Sequence, residues 1–258
     1  MIGVGIVFGC EVLGCGGTVR FWHFRFDAPR VRRPWWSNRD MTSLDRRGNV
    51  FVLTLGEDEN RFHPDRLTAI NAALDEVDAA DGPKAVVTTG VGKFYSNGLD
   101  LDFMAANPDA AESNLRDVHA LFARVLTFSA PIVAALQGHT FAAGAMLALA
   151  HDLAVMRSDR GYFCLPEVDL GIPFTPGMSA LIRARLPIAT AHEAMTTGRR
   201  YGGEEAHEAG IVAGVGPEDE VLDIAVARAE ERAAKAGPTM GAIKARLYGE
   251  VVEALASS

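Results

Sequence analysis

The sequence predicts an α/β fold for residues 41–258, because segments typical of strands alternate along the chain with segments typical of helices. The strand-like runs are short and apolar, as is usual for parallel strands that are covered on both faces. The runs between them carry apolar residues every three to four positions, which is typical of amphipathic helices. This alternation predicts mainly parallel strand pairing with right-handed crossovers.

Strand and helix patterns follow one another closely in the first half of this region. Residues 49–55 are β-branched and apolar with a period of two, which predicts a strand. A helix is predicted to begin at Pro64, in its first turn, and to end near Ala80. The other predicted elements of this half are strands at 84–89 and 132–136 and a helix from an N-cap at Ser113 to Phe128.

The second half is predicted to be mostly helical. Residues 142–150 are small and apolar on every side, which predicts a buried helix. Further strands are predicted at 152–156 and 162–164, a short segment at 211–215, and helices at 180–185, 189–197, 204–209, 219–236 and 240–255.

Residues 1–40 differ in composition from the rest of the chain. They contain all three tryptophans and carry a net charge of +3, whereas the remainder carries −11. Their first stretch is apolar and could mimic a signal or membrane segment. Against this, Glu11 would lie near its middle and no basic residue precedes it. We expect residues 1–40 to lie outside the fold, as an extension upstream of Met41 or as a disordered basic arm.

Charge and cysteine content exclude several classes of function. The net charge of −8 offers no basic face for nucleic acid, and we expect neither a nucleic-acid nor a membrane partner. Three cysteines in 258 residues cannot form a disulfide framework, which fits a reducing compartment and predicts a cytoplasmic protein. His, Cys, Asp and Glu show no metal-ligand spacing, so no metal is predicted.

The first glycine-rich turn is GKFYSNGLDL, residues 92–101, and it closely follows the predicted strand at 84–89. Gly98 permits a sharp reversal and a close approach of a ligand to the backbone. The backbone N–H groups after it would be free to donate hydrogen bonds. Taken alone, the motif fits an ordinary strand-to-helix turn equally well.

The second glycine-rich turn is GHTFAAG, residues 138–144, between the predicted strand at 132–136 and the buried helix. Small residues at a helix start leave N–H groups exposed where the helix dipole favours an anionic oxygen. Tight helix packing is the alternative explanation. If donors from both turns face one point, they form an oxyanion hole.

Glu167 is the candidate acid–base residue. It lies among apolar neighbours in LPEVDLG, residues 165–171, and such surroundings raise the pKa of a carboxyl group. A carboxylate with a raised pKa can act first as a base and then as an acid. Asp169 is the rival carboxylate, and a glutamate in a loop is on its own more often a solvated surface residue.

The three motifs together resemble those of the crotonase (enoyl-CoA hydratase/isomerase) superfamily over nearly all of residues 41–258. The family patterns F-x-A-G-A-D-[LI], G-x-x-x-G-G-G and P-E-x-x-L-G are matched by Tyr95–Leu101, loosely by Gly138–Gly144, and by Pro166–Gly171. This resemblance implies a crotonase-like spiral of ββα turns with a helical C-terminal region. It also implies a homo-oligomer, either a trimer or a dimer of trimers, and coenzyme A as the carrier of the substrate rather than a cofactor.

The resemblance also implies roles for individual residues. The N–H groups of Leu99 and Ala143 would hold the thioester oxygen of an acyl-CoA, and Glu167 would be the catalytic residue. The neighbouring positions expected to bind substrate are Ser96, Asn97, Gly98, Asp100, Leu101, Ala142, Gly144 and Met146.

One departure from the family pattern narrows the set of reactions that the protein is expected to catalyse. Hydratases of the family have a glutamate two residues after the last glycine of the second turn, where this sequence has Met146. A single base suits a 1,3-proton shift better than hydration, so the leading hypothesis is a Δ3-Δ2 enoyl-CoA isomerase of fatty acid metabolism. The phrases KFYSNGLDL and RSDRGYFCLPEVDLGI also resemble that branch. The alternatives are a hydratase, another crotonase-type reaction, or a non-catalytic acyl-CoA-binding homologue.

Several other side chains have two possible interpretations. His139 and His151 flank the buried helix and are expected to be core or turn histidines rather than substrate contacts. Lys244 is expected to be a solvated helix residue, with contact to a CoA phosphate as the alternative. Three methionines, Met104, Met146 and Met178, either line an acyl tunnel or belong to the ordinary core.

Overall fold

Residues 42–258 are the part of the chain that the computed structural model describes. The expectation for residues 1–40 falls outside the described residues. The α/β class is confirmed, with strands at Ser43–Arg47 (β1), Val50–Thr54 (β2), Ala85–Thr89 (β3), Phe94–Ser96 (β4), Ile132–Leu136 (β5), His139–Phe141 (β6), Leu153–Arg157 (β7), Phe163–Cys164 (β8) and Gly214–Gly216 (β9).

The described helices are Pro64–Ala79 (α1), Leu101–Ala106 (α2), Pro108–Leu126 (α3), Ala143–Ala150 (α4), Glu167–Leu170 (α5), Pro176–Arg185 (α6), Ile188–Thr197 (α7), Gly203–Glu208 (α8), Val221–Glu230 (α9), Pro238–Leu247 (α10) and Gly249–Ala256 (α11). None of them is long and apolar enough to cross a bilayer.

The strands form two sheets. The larger has six strands in the order β1-β2-β3-β5-β7-β9, in which only the β1–β2 pair is antiparallel. The smaller has three parallel strands in the order β4-β6-β8. Three successive passes of the chain each add one strand to the large sheet, then one to the small sheet, and then enter a helix. This succession is the expected spiral of ββα turns.

Both faces of the large sheet are covered, which explains why its strands are continuous apolar runs. On one face Phe51 and Leu53 join a core with α1, α3, α4, α6 and α11. On the other face, alternate residues such as Val50 and Val52 pack against Ala225 and its neighbours on α9. Side chains that alternate along a strand point to opposite faces, so each face receives its own apolar set.

Some predicted boundaries were wrong because capping and breaks depend on contacts beyond the local pattern. Helix α3 begins at Pro108, and the Ser113 hydroxyl donates to the carbonyl of Ala110 inside the helix instead of capping it. The predicted helix at 219–236 ends at Glu230 and is followed by a 3-10 turn. The predicted helix at 240–255 is two helices that meet at Tyr248.

Candidate active site

The small sheet brings the three motifs together. Strand β4 ends three residues before Leu99, β6 ends two residues before Ala143, and β8 ends three residues before Glu167. Because the strands are parallel, their carboxyl ends lie at the same edge of the sheet, where ligands of α/β proteins commonly bind. All three residues line one cavity of about 580 Å³.

This cavity is mostly apolar, as is usual for sites that take small organic ligands. Its apolar lining consists of Leu99, Leu101, Met104, Leu115, Phe141, Ala142, Ala143, Pro166, Leu170, Ile172, Pro173 and Met178. Its polar lining consists of Arg61, Asn97, Asp102, Glu167 and Thr175. Met104 and Met178 therefore border the cavity, as the tunnel interpretation expects.

The two glycine-rich turns are in direct contact. A Cβ atom on Gly98, whose φ is +84°, would lie 2.8 Å from the backbone nitrogen of Ala143. A Cβ atom on Gly144 would lie 2.5 Å from the carbonyl oxygen of Ser96. Both distances are too short for a side chain, so the close packing of the two turns requires glycine at both positions.

Two backbone N–H groups at this contact are free. Within residues 42–258, neither the Leu99 N–H nor the Ala143 N–H donates a hydrogen bond, whereas the adjacent Gly98 N–H donates to the Ser96 hydroxyl at 3.1 Å. Ala142, between β6 and α4, has a φ of 51°, a conformation that residues other than glycine rarely adopt. Strained backbone of this kind is common at functional sites.

Glu167 is the buried ionisable group of the cavity. Glu167 is the first residue of helix α5 and is only 7% exposed. The Oε2 atom of its side chain has no hydrogen-bond partner. Burial raises the pKa of its carboxyl group to about 7, because the charged form loses hydration. A carboxyl group with this pKa can both accept and return a proton near neutral pH.

Asp169, the rival carboxylate, faces away from the cavity. Residues 167–170 form a helical turn, in which residues two apart point about 200° apart around the axis. Asp169 is exposed, and its Oδ2 atom would lie 2.5 Å from a Cβ atom on Gly198 at the end of α7. In an extended segment the two acids would have shared a face, so the helical turn is what separates them.

The positions expected to bind substrate fall into two groups. Three of them line the cavity: Asn97, Leu101 and Ala142. The other five are absent from its lining: Ser96, Gly98, Asp100, Gly144 and Met146. Met146 is completely buried because α4 is packed on all sides, and the Asp100 side chain caps α2 by accepting from the Phe103 N–H at 3.1 Å.

Asn60 positions the first turn of the site, and the sequence analysis did not identify it. Its Nδ2 atom donates to the carbonyls of Phe94 and Tyr95, both at 3.1 Å, and its own carbonyl accepts from the Ser96 hydroxyl at 2.8 Å. It therefore anchors strand β4 just before the first turn. Asn60 has a φ of 49°, and the tolerance of asparagine for this conformation was the available signal.

Lys244 matches neither of its two interpretations. Its side chain is buried, and its Nζ atom lies 2.7 Å from Oδ1 of Asp152 and donates to the carbonyl of Ala130 at 3.1 Å. Burial lowers the pKa of Lys244. The lysine thus ties helix α10 to the residues just before β5 and β7, and it lies outside the cavity lining.

Neither of the two histidines beside α4 lines the cavity, in agreement with the expectation that they are not substrate contacts. His151 is buried, and burial lowers its pKa to about 4. His139 packs its ring against Phe94, Phe141 and Tyr162. In the described part of the chain, no group of three or more His, Cys, Asp or Glu is arranged to hold a metal ion.

Comparison with known proteins identifies the family. The family model for enoyl-CoA hydratase/isomerase matches residues 45–257. The chain belongs to this family. Its fold and its membership of the crotonase superfamily are therefore as expected, and it is an enzyme of the enoyl-CoA isomerases and hydratases.

Curated relatives of the chain include isomerases and hydratases. Enoyl-CoA delta isomerase 3 of Arabidopsis thaliana is 37% identical over 222 residues, covering 82% of this chain and 93% of the relative. The peroxisomal enoyl-CoA delta isomerase 2 of the same organism is 38% identical with the same coverage. A putative enoyl-CoA hydratase of Thermus thermophilus is 38% identical, covering 75% of this chain and 78% of the relative.

Solved structures share the fold. A protein from Mycobacterium tuberculosis, named an enoyl-CoA isomerase in one solved structure and a probable enoyl-CoA hydratase in another, is similar with a TM-score of 0.77. In the structure named as an isomerase the identity is 27%, covering 84% of this chain and 95% of that one. The human mitochondrial delta3-delta2-enoyl-CoA isomerase is similar with a TM-score of 0.79 and 22% identity, covering 85% and 87%.

Proposed function

We propose that this protein is a Δ3-Δ2 enoyl-CoA isomerase that acts on fatty acyl-CoA thioesters. One observation carries the proposal: a buried carboxylate without a partner shares an apolar cavity with two free backbone N–H groups. Glu167 is the only buried acid among residues 42–258. The isomerase names of the two Arabidopsis relatives support the same reaction.

The mechanism is a 1,3-proton shift with one base. Glu167 removes a proton from C2 of a 3-enoyl thioester, and the electron pair of that C–H bond moves to form an enolate. The Leu99 and Ala143 N–H groups donate to the enolate oxygen, and such donors each contribute about 3–4 kcal/mol to a charged transition state. The protonated Glu167 then returns the proton at C4, and the double bond shifts from C3–C4 to C2–C3.

Hydration is the alternative reaction, and the Thermus relative named a putative hydratase keeps it open. Addition of water needs a second group that orients the water molecule. The other acid lining the cavity, Asp102, is exposed and paired with Arg61 at 2.6 Å. With Met146 buried in place of the family's second glutamate, we expect hydration to be slow. The presence of Glu167 argues against a non-catalytic acyl-CoA-binding homologue.

Coenzyme A is proposed as the carrier of the substrate, with no further cofactor. A trimer or dimer of trimers is proposed from the family resemblance. The cytoplasm is proposed from the low cysteine content, although two of the isomerase relatives are named as peroxisomal.

An assay on two substrates tests the reaction. The purified full chain is incubated separately with a 3-enoyl-CoA and a 2-enoyl-CoA, and the products are separated by chromatography. We expect conversion of the 3-enoyl to the 2-enoyl thioester, and little 3-hydroxyacyl-CoA from either. Efficient hydration of the 2-enoyl thioester without isomerisation would refute the proposal.

A further inference from the structure

A hydrogen-bonded chain of three side chains lies in the core beside the candidate site. The Tyr95 hydroxyl is 2.8 Å from the Thr88 hydroxyl, which is 2.8 Å from Nε2 of His151. The three residues are 0%, 3% and 1% exposed. None of them lines the cavity, so the proposed mechanism does not use them directly.

The direction of every hydrogen bond in this chain is determined. Nδ1 of His151 lies 2.7 Å from the carbonyl oxygen of Leu147, which can only accept, so Nδ1 carries the proton. Burial keeps the ring neutral, and Nε2 is then an acceptor. Thr88 therefore donates to His151, and Tyr95 donates to Thr88. Each polar atom of the chain has a partner, although all lie in the apolar core.

The two ends of the chain lie on the two elements that carry the free N–H groups. Tyr95 belongs to β4, four residues before Leu99. His151 is the C-cap of α4, whose first residue is Ala143. The backbone N–H of His151 donates to the carbonyl of Ala148, so it does not bind the carbonyl of Leu147. Nδ1 of the His151 ring donates to that Leu147 carbonyl instead. The chain thus links strand β4 to the far end of the helix.

Helix α4 is consequently attached to β4 at two points. Near its first turn, Gly144 packs against the backbone of Ser96. The eight residues of α4 span about 12 Å. At the other end of the helix, the His151 ring connects to Tyr95 through Thr88.

The side chains of α4 are those of Ala, Leu, Met and Gly, whose apolar contacts are non-directional. Its last turn also accepts hydrogen bonds from Arg185 of α6, at the carbonyls of Leu149 (2.8 Å) and His151 (2.6 Å). Arg185 connects this turn to α6, whereas the Tyr95–Thr88–His151 chain connects it to β4 through Thr88 on β3. We therefore expect the chain to set the tilt of α4 relative to β4.

We propose that Tyr95, Thr88 and His151 are positioning residues, which hold β4 and α4 at the spacing that makes the Leu99 and Ala143 N–H groups converge on one oxygen. The inference rests on the proposed function in so far as that oxygen belongs to an acyl thioester. An oxyanion donor stabilises the transition state only when it lies within hydrogen-bond distance of the oxygen, and removal of one donor lowers kcat by about 10²–10³-fold. A small displacement of one donor should cost part of that factor.

Tyr95→Phe tests the inference, because it removes one hydroxyl and retains the buried ring. We expect kcat on a 3-enoyl-CoA to fall about tenfold, a part of the loss for a whole donor, with KM changed by less than about twofold. Thr88→Val should act in the same direction. Combined with Tyr95→Phe, it should cost less than the product of the two single effects, because both interrupt one chain.

The matched control is Tyr201→Phe. Tyr201 is also buried, and its hydroxyl also donates one hydrogen bond, to Glu193 at 2.7 Å. It lies outside the cavity lining and takes no part in the hydrogen bonds between Tyr95, Thr88 and His151. We expect this variant to keep the kcat of the unmodified protein. Thermal unfolding of all variants separates a loss of folded protein from a loss of rate.

A chromophoric thioester, 4-dimethylaminocinnamoyl-CoA, gives a readout that does not depend on turnover. Its absorption shifts to longer wavelength when hydrogen bonds polarise its carbonyl, so the shift reports the oxyanion hole directly. We expect a red shift with the unmodified protein and with Tyr201→Phe, and a smaller one with Tyr95→Phe. A red shift without isomerisation would refute the proposed reaction while leaving the positioning role in place.

Three results would overturn the inference. The first is an unchanged kcat and red shift in Tyr95→Phe, even if that variant unfolds at a lower temperature. The second is an equal loss of kcat in Tyr95→Phe and Tyr201→Phe. The third is the absence of any red shift in the unmodified protein, which would also show that the two N–H groups do not bind a thioester oxygen.

Discussion

The α-carbon of Gly98 faces the backbone nitrogen of Ala143 so closely that a Cβ atom on the glycine would lie 2.8 Å from that nitrogen. This contact joins the two turns that carry the free N–H groups. This backbone contact fixes how closely the two turns approach, because close-packed interiors resist compression. The proposed chemistry depends on this contact more than on any polar side chain other than Glu167.

Gly98→Ala should separate the two turns. We expect a loss in kcat of at least about 10²-fold, comparable to removal of one oxyanion donor. Gly82→Ala is the matched control, since Gly82 has a similar φ of +79° but nothing within 4 Å of its Cβ position. Both variants carry the strain of a positive φ, and only the first should lose activity in a steady-state assay. Equal losses would show that backbone strain, and not the contact, matters.

Glu167→Gln should abolish proton transfer and spare binding of the thioester. The amide has nearly the same shape as the carboxylate but cannot accept the C2 proton, and we expect turnover to fall by at least about 10²-fold. Binding is measured by calorimetry with a saturated acyl-CoA. The exposed Asp169→Asn is the control and should keep full turnover. Near-normal turnover of Glu167→Gln would remove this residue from the mechanism.

The rate of isomerisation should depend on the ionisation of Glu167. Because burial raises its pKa to about 7, kcat/KM should increase with pH as the carboxyl group loses its proton around that value. His151, with a pKa lowered to about 4, stays neutral between about pH 5 and 9 and should not contribute. A flat profile of kcat/KM over this range would contradict the assignment of Glu167 as the base.

The same raised pKa predicts a cost in stability. Between the ordinary pKa of 4.5 and about 7, folded Glu167 binds a proton that the unfolded chain has lost, so the free energy of unfolding falls as pH rises. Glu167→Gln removes this dependence. We expect its stability relative to the unmodified protein to be about 2–3 kcal/mol higher at pH 8 than at pH 5, measured by urea unfolding. The same difference at both pH values would show that Glu167 is not desolvated.

Lys244→Met should weaken folding without affecting substrate binding. The substitution leaves Asp152 partly buried without its cation, and loss of one partner of a buried pair is costly. We expect a loss of about 1–3 kcal/mol in stability and a KM within about twofold of the unmodified protein. Lys235→Met, at an exposed lysine, is the control and should change neither quantity. A large rise in KM would instead support contact with a CoA phosphate.

Local sequence patterns determined most of the secondary structure and pointed to the chemistry. Strand β2 and helix α1 follow from apolar periodicity, because burial of one face repeats with the period of the element. Strands β3 and β5 follow from continuous apolar runs, because both of their faces are buried. Glu167 was identifiable because its immediate neighbours are apolar. The two glycine-rich turns were identifiable because each follows a predicted strand, which limits where the chain can reverse.

Only the tertiary structure decided which of these groups face the same cavity. Strand β6 has three residues and no periodic signal, yet it aligns the carboxyl ends that bring Leu99, Ala143 and Glu167 together. The burial of Lys244 and Met146 is likewise set by distant segments packed against them. Apolar periodicity shows which face of a helix or strand is buried. Which partner buries it depends on contacts between residues far apart in the chain, and these contacts appear only after folding.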